Sequence, residues 1–338
     1  MKSRRLGKSA IYVSDICMGT MTFGTGADEA MSLRILDRSL DAGINFFDTA
    51  ENYPVPPSDE YAGLTEEIVG RWLKTRNRDA VILATKVCGP SHGWLRGSQR
   101  AGMTALDRHN IVRAVEASLK RLGTDYIDLY QTHWPDHGAR YEEALRALDD
   151  LIQAGKVRMI GCSNETAWGL MKSLAVSDAH GFARYDTIQN NFSLNNRRFE
   201  DELAQVCRQE GVSLIPFSPL AGGVLTGKYQ NGARPAGARF TRYLDLGGRQ
   251  EAMARRFLND KSVASVDRFA AIAAEAGMSV TTLAVAWSKQ HDFVASTIVG
   301  ATHENQLADI FAAADVVLSP DILAVIDIVT KEILYPMG

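Results

Sequence analysis

The 338-residue chain has only four cysteines, Cys17, Cys88, Cys162 and Cys207, and none lies in a C-x-x-C pair. That excludes a disulfide framework and a cysteine zinc cage, and it predicts buried thiols in a reducing compartment. Long apolar runs are also missing: no window approaches the roughly 20 residues of a membrane span. Met1-Lys2-Ser3-Arg4-Arg5-Leu6-Gly7 has no apolar stretch behind it, so a secretory leader is not expected and a cytoplasmic location is. Excess charge of one sign is lacking too. Lys and Arg total 37 against 40 Asp and Glu, without a block of like charge, so neither nucleic acid nor an anionic membrane is an expected partner. Gly19, Gly24 and Gly26 do not form G-x-G-x-x-G, which removes the Rossmann fingerprint. Gly222-Gly223-Val224-Leu225-Thr226-Gly227-Lys228 does fit G-x-x-x-x-G-K, but Tyr229 stands where a P-loop needs a hydroxyl for magnesium. His133 and His137 have a helical zinc spacing, but Pro135 lies between them, so no metal is expected.

What is present is an alternation. A small hairpin over 3–13 precedes a first core strand, Ile16–Gly19. A helix over about 28–42 follows, with Met31, Ile35, Leu36 and Leu40 at helical spacing and Gly43 at its end. The pattern then runs strand 45–48, helix 65–75, strand 81–85, a polar loop over 87–106, helix 107–122, strand 126–132, helix 141–153, strand 157–162, helix 165–175, strand 185–189, helix 199–210 and strand 212–217. Residues 218–261, rich in glycine and poor in periodic apolar positions, read as one long functional loop. Helices over 262–275 and 279–290, strand 293–299, helix 303–313 and a terminal helix from Pro320 complete the chain. Eight strands, each followed by a helix and with no linker between them, predict a single α/β domain over 1–338. The expected fold is a (β/α)8 TIM barrel with an N-terminal β-hairpin and an extra C-terminal helix. The competing arrangement is an open doubly wound sheet.

In such a barrel, chemistry gathers at the C-terminal ends of the strands. Asp48, Lys86 and His133 each end an apolar strand. Ser163-Asn164, Gln189 and Phe217-Ser218 hold the same place in later strands, and one shared pocket explains them better than core packing. Burying Lys86 requires a partner, and Asp48 is available. A cation near Tyr53 is expected to lower the phenol pKa toward the working range. Such a phenol can exchange a proton with a carbonyl or alcohol oxygen that His133 orients. The hydride that carbonyl reduction also needs comes from no side chain, so a nicotinamide cofactor is expected.

The strings NFFDTAENY, LATK, LYQTHWPD, IGCSNET, TIQNNFSL and IPFSPLAGGVLTGKY, in this order and spacing over nearly the whole chain, resemble the aldo-keto reductase superfamily. The stretches 53–57 and 86–91 look most like its bacterial Tas-type, NADP(H)-dependent branch. The resemblance implies a barrel that binds NADP(H) without a Rossmann fold. It makes Tyr53 the acid/base, Lys86 and Asp48 its tuning pair, and His133 the substrate-orienting group. It assigns Gly19, Thr20, Met21, Asp48, Ser163, Asn164 and Gln189 to the nicotinamide end, and Phe217 to stacking where Tyr or Trp is usual. Ser218, Pro219, Leu220, Gly222 and Lys228 would cover the pyrophosphate. Arg239, Gly300, Thr302 and Gln306 would hold the adenosine end. Thr302, His303 and Ile310 stand where many relatives carry groups for the 2′-phosphate and adenine. Met21, Tyr53, Trp94, His133 and Trp134 would line a pocket for a small carbonyl or alcohol substrate, with the 87–106 loop on that side. A second implication comes from relatives that are potassium-channel subunits, redox-sensing modules that bind NADP(H) with little turnover. These typically carry Asn in place of the histidine that is His133 here. The sequence leaves the substrate and the oligomeric state open.

Overall fold

The computed structural model describes residues 1–90 and 105–337. The hairpin pairs β1 (Ser3–Arg5) with β2 (Tyr12–Ser14). Eight parallel strands then follow in chain order: β3 (Ile16–Gly19), β4 (Phe46–Asp48), β5 (Ile82–Val87), β6 (Ile127–Thr132), β7 (Val157–Ser163), β8 (Tyr185–Gln189), β9 (Ser213–Leu214) and β10 (Thr297–Val299). Each pairs with its neighbour in sequence, and β10 returns to β3. The remaining edges meet through a parallel bridge between Leu214 and Val294. There Leu214 N donates to Phe293 O at 2.7 Å and Ala295 N to Leu214 O at 3.0 Å. The sheet therefore curls into the expected (β/α)8 barrel rather than opening.

The helices begin where side chains can satisfy free amides. Asp28 caps α1 (Glu29–Asp41), Asp107 caps the helix Arg108–Leu122, Thr166 caps Ala167–His180, and Ser319 caps Pro320–Glu332. Each cap oxygen accepts from an amide in the first turn, the usual remedy for a helix N-terminus. The helix expected over 165–175 runs on to His180, where Gly181 in the left-handed conformation stops it. The helix expected over 199–210 is broken into a 3-10 turn, Arg198–Glu200, and Leu203–Glu210.

Two expectations need correction. Strands 212–217 and 293–299 shorten to β9 and β10; Pro216, without an N–H, cannot extend the ladder. The 218–261 segment is not one loop. It holds 3-10 turns at Ala221–Thr226 and Gln230–Gly232, then helices Arg239–Leu246 and Gly248–Phe257. The first of these helices spans barely two turns, and Gly247-Gly248 separates it from the next. The glycines before and between them read as irregular chain.

The hairpin plugs the N-terminal mouth of the barrel. Leu6, Ile11 and Val13 pack with Cys17, Phe46, Ala84, Leu129, Met159, Ile215, Ala295 and Ile298, all buried, to fill the lower interior. A second, larger core lies between the strands and the helix ring. A buried ion pair ties the hairpin connection to the helix Val280–Gln290. Lys289 Nζ donates to Asp15 Oδ2 at 3.0 Å and to Ala314 O at 3.0 Å, while Lys2 N donates to Asp15 Oδ1. Replacing Lys289 with methionine leaves the Asp15 carboxylate buried beside an apolar chain. The variant is expected to lose roughly 3–5 kcal/mol of stability, measurable as a lower urea midpoint. An unchanged midpoint would refute the structural importance given to the pair.

Candidate active site

A strand shows alternate residues to one face, so the barrel interior can be followed two residues at a time. The apolar lower layer contains Cys17, Phe46, Ala84, Leu129, Met159 and Ile215. Two positions further along the same strands stand Gly19, Asp48, Lys86, Gln131, Gly161 and Phe217. The interior thus changes from hydrocarbon to polar in a single step. Gly161 lets Thr187 and Gln131 pack close in this layer, because a Cβ there would lie 2.2 Å from Thr187 Oγ1 and 3.4 Å from Gln131 Cγ.

Lys86 is fully buried and all three of its ammonium hydrogens have acceptors. Nζ donates to Asp48 Oδ2 at 2.6 Å, Thr49 O at 2.7 Å and Tyr53 OH at 3.4 Å. Burial works against this charge, but Asp48 and Tyr53 outweigh it and hold the lysine pKa above its ordinary value. Tyr53 is placed by its loop: its N–H donates to Ala50 O, and its carbonyl accepts from Gly63 N. The expected lowering of the phenol pKa is overturned. Burial raises it; Lys86 and, more weakly, Arg239 pull it down, and Asp48 adds to the rise. Desolvating a phenolate here costs more than one paired lysine returns, so Tyr53 is held as a protonated phenol.

His133 faces Tyr53 edge-on, with ring centroids 5.6 Å apart. Trp134 stacks on its other side at 4.2 Å. Its Nδ1 is buried without a hydrogen-bond partner among the described residues. Burial first, and Lys86 second, push the imidazole well below the ordinary histidine value. The ring is therefore neutral. His137 turns away from this pocket and pairs with Glu165 at 2.9 Å.

A row of amides stands beside the tetrad. Ser163 Oγ donates to Gln189 O at 2.7 Å; Asn164 Nδ2 donates to His133 O at 2.9 Å and to Ser163 Oγ at 3.2 Å. Asn164 adopts a left-handed φ of 56°, which turns its side chain back over the strand ends. Gln189 Nε2 donates to Asp48 Oδ1 at 2.9 Å. Both Asn164 Oδ1 and Gln189 Oε1 remain as acceptors without a partner among the described residues. The sequence reading assigned Gln189 but missed Gln131, which also donates to Asp48 Oδ1, at 3.3 Å. Its one signal is weak: Gln131 lies two residues before His133 and so shares its strand face, but within a strand that is buried throughout.

Phe217 is half-buried above Ile215, and its amide donates to Asn190 O at 3.1 Å. Beyond it the backbone turns left-handed at Ser218, Ala221, Gly222, Gly223 and Gly227. Such turns point successive amides to one side, a form that suits anions. A Cβ at Gly223 would sit 2.8 Å from Lys228 Nζ. Burial and the neighbouring Arg239 lower the pKa of Lys228, and burial likewise lowers that of Arg239. Neither cation has a carboxylate partner among the described residues. Unpaired, half-buried cations beside turned amides fit a phosphate-bearing cofactor. At the far end, Gln306 Oε1 accepts from Thr302 N at 2.9 Å. Gly300 is exposed there, and Arg34 and Arg38 are held by Glu304. Ile310 is buried in the outer core. Gly19 and Thr20 pair with the Asp48 strand end, Thr20 N donating to Asp48 O; a Cβ at Gly19 would lie 2.6 Å from Ile298 Cγ2. Met21 and Trp134 are half-buried, Pro219 is buried, and Leu220 is half-buried. Trp94 and most of the 87–106 loop lie outside the described residues.

A closed (β/α)8 barrel with a buried Lys–Asp pair under a tyrosine, facing a neutral histidine, defines a class, and the relatives agree with it. The chain belongs to the aldo/keto reductase family, whose profile matches residues 15–331. It is an oxidoreductase of a kind that uses nicotinamide cofactors, generally NADP(H). It is 42% identical to Protein tas of Escherichia coli over 99% of both chains. It is 35% identical to the uncharacterized oxidoreductase YrpG of Bacillus subtilis, covering 97% of this chain and 95% of that one. A probable voltage-gated potassium channel subunit beta of rice (Oryza sativa subsp. japonica) is 34% identical over 98% of this chain and 97% of its own.

The His133 imidazole is expected to keep its neutral NMR shifts across about pH 5 to 8, the span in which free histidines titrate. A midpoint near the ordinary value of 6.5 would contradict the burial argument.

Proposed function

We propose that this protein reduces an aldehyde or ketone, sugar-derived carbonyls among them, to the alcohol, reversibly, with NADP(H) as cofactor. The observation that carries the reading is the Tyr53 hydroxyl, 3.4 Å from Lys86 Nζ, with its ring facing that of His133 at 5.6 Å. When bound, the cofactor supplies the hydride from nicotinamide C4. Tyr53 donates a proton to the carbonyl oxygen as negative charge develops there. Lys86 stabilises the resulting phenolate, and Asp48 keeps Lys86 charged without itself moving a proton. His133 directs a ring N–H at the same oxygen and fixes its position. The raised phenol pKa matches the reductive direction, in which the tyrosine must start protonated.

The same reading gives the cofactor its contacts. Gly19, Thr20 and Met21 edge the nicotinamide site beside Asp48. Ser163, Asn164 and Gln189 face the carboxamide, and Phe217 stacks on the ring. Ser218, Pro219, Leu220, Gly222 and Lys228 follow the phosphates; Arg239, expected at the adenosine end, acts electrostatically on Lys228 and Tyr53 and so joins the phosphate group here, while Gly300, Thr302 and Gln306 border the adenosine. Met21 and Trp134 border the substrate together with Tyr53 and His133. Four buried cysteines, none of them in a disulfide among the described residues, suit a reducing compartment such as the cytoplasm. Among the described residues no single helix is long and apolar enough to cross a membrane.

Similarity to the rice protein named as a channel subunit favours a second reading, an NADP(H)-binding redox sensor with little turnover. His133 supports the enzyme, because the ring is placed to touch a substrate oxygen. Consumption of NADPH with a panel of aldehydes and ketones distinguishes the two. The enzyme reading expects turnover that Tyr53→Phe lowers by about 10²- to 10⁴-fold, the usual worth of a positioned acid. It also expects kcat/KM for reduction to stay level through neutral pH and to fall only above the ordinary phenol value of about 10. Tight NADPH binding without turnover on any carbonyl would establish the sensor instead.

A further inference from the structure

We propose that Gln131 is a positioning residue that, together with Asp48, holds the Gln189 amide with its oxygen toward the cofactor, and so couples the proton-transfer tetrad to nicotinamide recognition. This rests on the reading of Gln189 as the carboxamide contact. The orientations follow from donor and acceptor chemistry alone. An ionised carboxylate only accepts, so the Gln189 atom 2.9 Å from Asp48 Oδ1 must be Nε2. That nitrogen has a second hydrogen, and its acceptor is Gln131 Oε1 at 3.2 Å. The Gln131 carboxamide is then fixed as well, with its Nε2 turned to Asp48 Oδ1 at 3.3 Å.

These three bonds form a closed ring among fully buried or nearly buried side chains. Both hydrogens of Gln189 Nε2 are used inside it, and the only group left for a ligand is the acceptor Oε1. Asn164 is in the same condition, since both of its Nδ2 hydrogens are bonded to His133 O and Ser163 Oγ. The nicotinamide side of the pocket therefore presents acceptors and selects a ring substituent that donates N–H. Gln131 faces Lys86 across the β5–β6 ladder and Gly161 across β6–β7. It touches neither the substrate site nor the phosphate end, so its influence passes through Gln189 and Asp48.

The test compares Kd, by protein fluorescence quenching, for NADP⁺ and for its 3-acetylpyridine analogue, in which a methyl ketone replaces the carboxamide and no N–H remains. The wild-type protein is expected to prefer NADP⁺. Gln131→Met, similar in volume but unable to hold Gln189, is expected to narrow that preference by roughly three- to tenfold, the worth of one buried hydrogen bond. KM for the carbonyl is expected to stay unchanged. In a Gln189→Met background the Gln131 substitution is expected to have no further effect on the preference. Should the methionine variant fail to fold, Gln131→Asn withdraws the amide by one methylene and carries the same expectation. A wild-type preference kept in every folded Gln131 variant overturns the inference and leaves the reductase reading intact. A wild-type protein that binds neither dinucleotide overturns both.

Discussion

The contact on which the site depends is the bond between Lys86 Nζ and Asp48 Oδ2, 2.6 Å long, between side chains that are 0% and 4% exposed. Ions removed from water cost several kcal/mol each unless their remaining hydrogens and lone pairs are satisfied. Here the satisfaction is thorough. The ammonium has three acceptors, and the carboxylate receives the ammonium and two carboxamides. Each partner comes from a different strand or loop, so the pair acts as a clasp across β4, β5, β6 and β8. A site of this kind tolerates little slack. If the barrel opened or a strand slipped by two residues, a charge would face the hydrocarbon layer below.

That dependence explains why some of the site was legible in the sequence. A lysine at the end of an apolar strand demands a partner, and Asp48 was the carboxylate at the matching level. Tyr53 and His133 followed from the same reasoning, as did the barrel itself from eight alternating units. Gln131 was not legible in that way. It sits inside a run that reads as continuously buried, where periodicity does not announce which face is polar. Only the placement of Leu129 in the lower core and His133 in the pocket gives Gln131 its side. The helices Arg239–Leu246 and Gly248–Phe257 were not expected for a different reason, because the glycines before and between them read as irregular chain. The sign of the Tyr53 shift was missed because charge proximity can be argued from sequence, whereas the competing desolvation depends on how closely the pocket is packed.

The two cationic regions of the molecule obey opposite rules, and the difference carries functional meaning. Lys86 and Lys289 are buried cations with carboxylate partners, and they serve the protein's own structure. Lys228 and Arg239 are half-buried without a carboxylate partner among the described residues, burial lowers the pKa of both, and the Arg239 charge lowers that of Lys228 further. An isolated protein gains nothing from that arrangement. Under the proposed function that cost is offset when the cofactor phosphates enter, because the repulsion between cations is then replaced by attraction. The segment that sequence reading took for a loop is helical so that it can bring Arg239 over the barrel mouth, near enough to act on Tyr53 as well as on Lys228. Under the proposed function the phosphates would meet Lys228 and Arg239 while the nicotinamide meets Tyr53, so the same arginine would face both ends of one cofactor.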